Sequence, residues 1–271
     1  MPWWAAEALV VRYLRIWMLF IKTALIREME FRGNFFSWMV INLLWMAFTL
    51  VFFWVLYGHT DSIAGWGVSE LLTLLGVYYL FEYFVWTFGY PNLGRISRYI
   101  NTGELDFFLL KPINSQFHVS LRRMSPHNSA SLIPAAALLV TGLRGLGVSP
   151  DPVSLLTFAV LFAAGVLIFY ALWFMSVTAV FWMQRGQNIQ ELFLVTLQAM
   201  RVPSEVFGLL GQFVLTFVVP VAMVTMFPTR ALMGTLRPEL AVAMVGVALG
   251  LLWVSGWWWR FALRRYDGAS A

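Results

Sequence analysis

Glu82 is the one acid in the middle of a clear apolar run, and Arg122 and Arg123 stand near the start of the next run. A carboxylate left charged in hydrocarbon costs several kcal/mol, so it requires either a cation beside it or a task. At the rise of an α-helix, Glu82 lies about 8 residues, roughly 12 Å, from the end of its run. The two arginines lie at comparable depth on an antiparallel neighbour. The residues therefore predict an intramembrane ion pair of Glu82 with Arg122 or Arg123. The alternative is a proton relay or a site for a cationic substrate.

Other chemistries lack their residues. The only lysines, Lys22 and Lys111, do not follow a glycine, so there is no GxxxxGK[ST] phosphate loop. Nucleotide hydrolysis must come from another polypeptide. No HExxH or GxSxG pattern is present, and His59, His118 and His127 are too dispersed to predict a metal site. With no cysteine there is no thiolate chemistry and no disulfide framework.

A second charged group is denser. Between Pro91 and Phe117 the sequence PNLGRISRYINTGELDFFLLKPINSQF carries Arg95, Arg98, Glu104, Asp106 and Lys111 between long apolar runs. Leu93, Ile96, Tyr99 and Ile100 fall on one side of a short helix, Thr102-Gly103 ends it, and Lys111-Pro112 blocks helical continuation. Apolar Leu105, Phe107, Phe108, Leu109 and Leu110 surround the two acids. A solvated loop does not need that mixture; an amphipathic element pressed between a membrane and a protein partner does.

The elements that hold these groups are membrane spans. Apolar residues make up 61% of the 271 and charged residues 11%, with a mean hydropathy of +0.76, far from a soluble composition. The formal charge of +5 suits topology and anionic headgroups better than nucleic acid. No cleavable signal peptide is expected. Residues 1–33 form an N-terminal segment in which Arg12, Arg15, Lys22 and Arg27 share a face opposite Tyr13, Leu14, Trp17, Phe20 and Leu25, the pattern of a helix in the headgroup plane. Gly33-Asn34 should break it.

Residues 34–271 then give six spans, at about 34–57, 69–90, 116–143, 153–184, 189–203 and 240–259. Pro126 and Pro134 should kink the third, and the fourth is long enough to tilt. The stretch 189–235, punctuated by Pro203, Pro220 and Pro228, is one broken span or a short span with a re-entrant pair at 204–235. Six crossings put both termini in the cytoplasm and 15 of the 18 lysines and arginines on that side, or 14 if Arg201 is external. The WWWR sequence at 257–260 predicts an interfacial anchor.

In order and spacing these segments resemble the permease subunits of ABC-2-type transporters. The resemblance is carried by GELDFFLLKPINSQF (103–117), YGHTDSIAGW (57–66), RVPSEVFG (201–208) and VVPVAMVTMFPTRALMG (218–234), and runs from Val11 to Asp267. It is closest to the branch with separately encoded six-span permeases. The resemblance implies an all-α ABC-2 transmembrane domain in a plasma (inner) membrane, paired with a second permease, the same or different. Two copies of a separate ABC ATPase, which bind ATP and Mg, would drive export of a small hydrophobic or amphipathic compound. It implies a coupling surface drawn from Asn92, Leu93, Arg95, Ile96, Arg98, Tyr99, Gly103, Glu104, Leu105, Asp106, Lys111 and Pro112. A cargo path between spans would use Trp38, Trp45, Phe48, Phe52, Tyr79 and Trp86. No cofactor, metal or nucleic acid is expected on this chain. The competing class is a stand-alone secondary transporter with Glu82 as its coupling residue.

Overall fold

The computed structural model describes residues 3–30, 32–182, 195–218, 220 and 222–266. All its regular elements are helical, with one isolated antiparallel bridge at Ile63 and Trp66. Helix α1 (Trp3–Glu30) is followed at once by α2 (Arg32–Tyr57). The break expected at Gly33-Asn34 does not fall there, since both residues are helical within α2. Ala64 (φ 51°) and Gly65 (φ 86°) make the tight turn after α2. Ile63 and Trp66 exchange backbone hydrogen bonds of 3.0 Å across it.

Helix α3 (Val68–Phe84) runs through a π-turn (Val85–Gly89) directly into α4 (Tyr90–Leu93) and α5 (Ile96–Asn101). The charged island therefore begins as a prolongation of the second long helix. Helix α5 ends where expected, with Gly103 at φ 72°. Helix α6 (Leu105–Leu109) and helix α7 (Ser115–Leu121) follow. The third apolar run is not a continuous kinked helix. Residues 122–125 are non-helical, a 3-10 turn spans Pro126–Ser131, and only α8 (Leu132–Gly145) is long. The residue before a proline avoids the α region, so the chain breaks ahead of Pro126, whereas Pro134 fits the first turn of α8.

Helix α9 (Pro152–Thr178), capped by the Asp151 carboxylate on the Ser154 N–H at 2.8 Å, ends in a 3-10 turn at Ala179–Phe181. At about 40 Å it exceeds the apolar core of a bilayer. The polar turn expected at 185–188 and most of span five lie outside the described residues; 195–199 are helical. A 3-10 turn (Ser204–Phe207), α10 (Gly208–Phe213) with its π-turn (Val214–Val218), and α11 (Ala222–Leu232) come next. Each arm of this pair is roughly 16 Å long, too short to cross. Helix α12 (Pro238–Leu263) closes the chain. Among the described residues, four units are long and apolar enough to cross a membrane: α2, the run Val68–Asn101, α9 with its 3-10 turn, and α12.

Small residues set the packing. A Cβ added at Gly142 would lie 2.6 Å from the Thr73 nitrogen and 2.8 Å from the Ser69 oxygen; one at Gly76 would lie 2.7 Å from the Leu139 nitrogen. Helices α3 and α8 therefore meet backbone to backbone. Gly165 on α9 admits Val224 of α11 in the same way. The tryptophans at the end of α12 are divided between roles. Trp258 donates to Thr178 Oγ1 (2.8 Å) and Trp259 to Ser115 Oγ (3.0 Å). Trp257, 51% exposed, alone keeps the outward position expected of the cluster. Two ends of the bundle result. Trp66, Leu143, Arg230 and Leu232 gather at one; the island, Phe181 and Tyr266 gather at the other.

Candidate functional site

A cavity of about 790 Å³ opens between α2, α3 and the 3-10 turn at 126–131. Its walls include Trp38 and Trp45 from α2 and Tyr79, Glu82 and Trp86 from the α3 run. Four of the six expected cargo-path aromatics are thus brought together. Phe48 and Phe52, 67% and 61% exposed, point away from it. The far wall is built by Tyr90, Pro91, Gly94 and Arg95, the opening residues of the island. A π-turn, a geometry common at functional sites, lies between the two walls.

Glu82 is paired, but not with Arg122 or Arg123. Its partner is Arg201, whose guanidinium lies 3.6 Å from Glu82 Oε1 and donates from Nε to the Tyr78 hydroxyl at 2.9 Å. Tyr78, one helical turn before Glu82, donates to Glu82 Oε1 at 3.0 Å. The Arg201 guanidinium also lies over the Tyr78 ring. Sequence depth alone does not separate three arginines in other segments. Arg122 instead covers the Phe108 ring, and the Arg123 backbone is gripped by Asn92.

That grip corrects the expected partner surface. The Asn92 amide donates to the carbonyls of Phe88 and Arg123 (2.7 and 2.8 Å), and its oxygen accepts from the Arg123 N–H (2.8 Å). It satisfies the backbone freed by the break at 122–125. Asn92, Leu93, Ile96, Tyr99 and Leu105 are 0–3% exposed, and Gly103 is buried. They face inward because α4, α5 and α6 are amphipathic against the bundle, not against a partner. Arg98, Glu104, Asp106, Lys111 and Pro112 remain at the surface with Phe107 (69% exposed) and Leu110 (82%). Arg98 and Glu104 pair at 3.4 Å. Arg95 is half-buried at the cavity wall.

Helix α1 is fixed to the exit of the island. Arg12 donates to the Pro112 carbonyl (2.8 Å), the Tyr13 hydroxyl accepts from the Asn114 N–H (2.9 Å), and Glu28 meets His127 Nδ1 at 2.6 Å. His127 stacks on Trp38, and Asn42 donates to Asn128 at 3.0 Å, so α2 is held at the same turn. Neither Glu28 nor Arg201 was singled out by spacing. The lone basic residue of the stretch 189–203 was the available signal for the second.

A family model described as ABC-2 family transporter protein matches residues 43–270. The chain belongs to this family. No curated protein and no solved structure matches it. The match covers the island and the cavity lining from Trp45 onward but starts within α2, so α1 and the cavity residues Trp38, Ile41 and Asn42 lie outside it. The protein is accordingly a multi-pass membrane permease of an ABC transporter, the transport component and not the catalytic one. ABC-2 membrane proteins generally work with ABC ATPase subunits.

Proposed function

We propose that this permease forms half of an ATP-driven exporter whose cargo occupies the cavity between α2 and α3. The observation that carries this reading is continuity: one helical run, Val68–Asn101, supplies a cavity wall, a π-turn and then the surface element. A partner that displaces α5 and α6 moves Tyr90, Pro91 and Gly94 with them. Binding energy at the island is thereby converted into cavity shape through differential contacts in two states.

In this reading two ATPase subunits hold ATP and Mg and dock on Arg98, Phe107, Leu110, Lys111 and Pro112. A second permease, identical or homologous, covers the outward face of α2. Six crossings are counted by adding α8 and the segment that includes 195–199 to the four long units, with α10 and α11 as a re-entrant pair. The basic island end then faces the cytoplasm with both termini, in a plasma (inner) membrane. The cavity volume suits a drug-sized molecule, and ring faces beside a carboxylate suit an amphipathic cargo with aromatic or cationic character. Glu82 acts as a latch between α3 and the Arg201 segment. Its arginine partner argues against a stand-alone, ion-coupled transporter.

Co-purification with the cognate ATPase tests this. Phe107→Glu with Leu110→Glu should abolish capture and ATP-dependent flux in vesicles while leaving the permease folded. Full flux from the permease alone, driven by an ion gradient, would contradict the proposal.

A further inference from the structure

A second charged place lies away from the cavity, where α1 crosses α7. A cleft of about 290 Å³ is lined by Arg27 of α1 together with Lys111, His118, Arg122 and Arg123. Among the described residues none of these four cations pairs with a carboxylate. The acid of an adjoining cleft, Glu104, is engaged by Arg98. Two nitrogens at the site are buried without a protein partner: Nδ1 of His118, a residue only 2% exposed, and the N–H donor Nε of Arg123. A buried guanidinium N–H such as the second calls for an acceptor. His118 is also held rigidly, with its ring between Phe20 and Phe108. Like charges left this close are destabilising unless an anion sits among them.

The same two helices border an apolar cavity of about 530 Å³, lined by Trp17 of α1, Phe117 of α7, and Phe84 and Phe88 of the α3 run. Outside it, α1 exposes Met18, Leu19 and Ile26. A cationic cleft and a greasy slot on the same pair of helices match the two halves of one kind of molecule. We propose that the crossing of α1 and α7 is a binding site for an anionic phospholipid, with its phosphate held by Arg27, Lys111 and Arg122 and an acyl chain in the apolar cavity. Bound there, the lipid bridges α1 to the connection between the island and the bundle. It would tie the permease's island to membrane composition. The inference does not depend on the direction of transport or the cargo.

The test uses the full-length chain in uncharged detergent micelles doped with phosphatidylglycerol or phosphatidylcholine, read by thermal unfolding and by lipid retained in native mass spectra. Phosphatidylglycerol should stabilise and be retained, and phosphatidylcholine should do neither. Lys111→Gln with Arg122→Gln should weaken retention about tenfold, the effect of losing one or more charge-assisted hydrogen bonds. Arg27→Gln should weaken it from the α1 side, whereas Arg144→Gln, at the other end of the bundle, should not. Equal behaviour of the two lipids, or a double variant that retains phosphatidylglycerol like the parent, would overturn the site. Stabilisation by inorganic phosphate alone, without selective lipid retention, would overturn the lipid and assign the cleft to a soluble phosphate.

Discussion

Helices α3 and α2 border the same cavity, yet they are held in opposite ways. Along α3 nearly every residue from Leu71 to Phe81 is buried, and α8 approaches so closely that Gly76 and Gly142 have no room for a methyl group. Along α2 only Met46 and Phe53 are buried, while Phe48, Phe52 and Trp54 are 61–77% exposed. It is tied from Asn42, well inside the helix, to Asn128 and from Tyr57, its last residue, to Trp66. Within this chain the two walls of the cavity are therefore unequally packed. The composition of α2 is no guide to this, since it is the more apolar helix; small residues decide which helices interlock.

The contrast can be broken by substitution. The largest effect is expected at Gly142→Val, which drives side-chain atoms into the Thr73 and Ser69 backbone. Overpacking against backbone should cost about 3 kcal/mol or more, read as a collapse of thermal stability in detergent. Glu82→Ala comes next: it strands Arg201 against Tyr78 and should cost about 3–5 kcal/mol, with Glu82→Gln costing less because it still accepts from the Tyr78 hydroxyl. Asn92→Ala removes three hydrogen bonds and orphans the Arg123 backbone, so unfolding should be easier by about 2–3 kcal/mol.

On α2, Phe52→Ala and Trp54→Ala should change the stability of the isolated permease by no more than about 0.5 kcal/mol. A loss there as large as at Gly142 would erase the distinction between the two walls. The smallest effect concerns the start of α9. The Asp151 carboxylate is held below its usual range by its hydrogen bonds to Ser154. The cap's contribution is therefore complete above the ordinary carboxylate pKa and is lost as pH falls through the depressed value. Asp151→Asn should flatten that acid limb in a pH-stability profile.

Much of the architecture was legible because hydropathy reports burial in lipid. Four of the long apolar runs coincide with α2, the α3 run, α9 and α12, although the α3 run continues to Asn101 instead of ending near 90. The end of α5 was legible because Gly103 occupies a left-handed conformation. What the pattern does not carry is direction of packing. In the island, Leu93, Ile96 and Tyr99 form an apolar face that fits equally a partner or the chain's own bundle; the fold turns it inward. The same ambiguity covers Trp258 and Trp259, whose indole N–H groups find partners on α9 and α7 instead of headgroups. Glu82 announced the need for a cation, but choosing Arg201 over Arg122 or Arg123 required the tertiary arrangement. The break before Pro126 removed the last two from the span in which the run of apolar residues seemed to put them.

The proposed coupling requires the island to move together with the cavity wall that the α3 run supplies, relative to α2. Because the chain contains no cysteine, spin labels at cysteines replacing Leu44 on α2 and Ser97 on α5 report one distance across the cavity. Measured in vesicles containing the permease pair and its ATPase, that distance should change on addition of ATP. Phe107→Glu with Leu110→Glu should abolish the change. A distance that stays fixed while ATP-dependent transport proceeds would contradict the account.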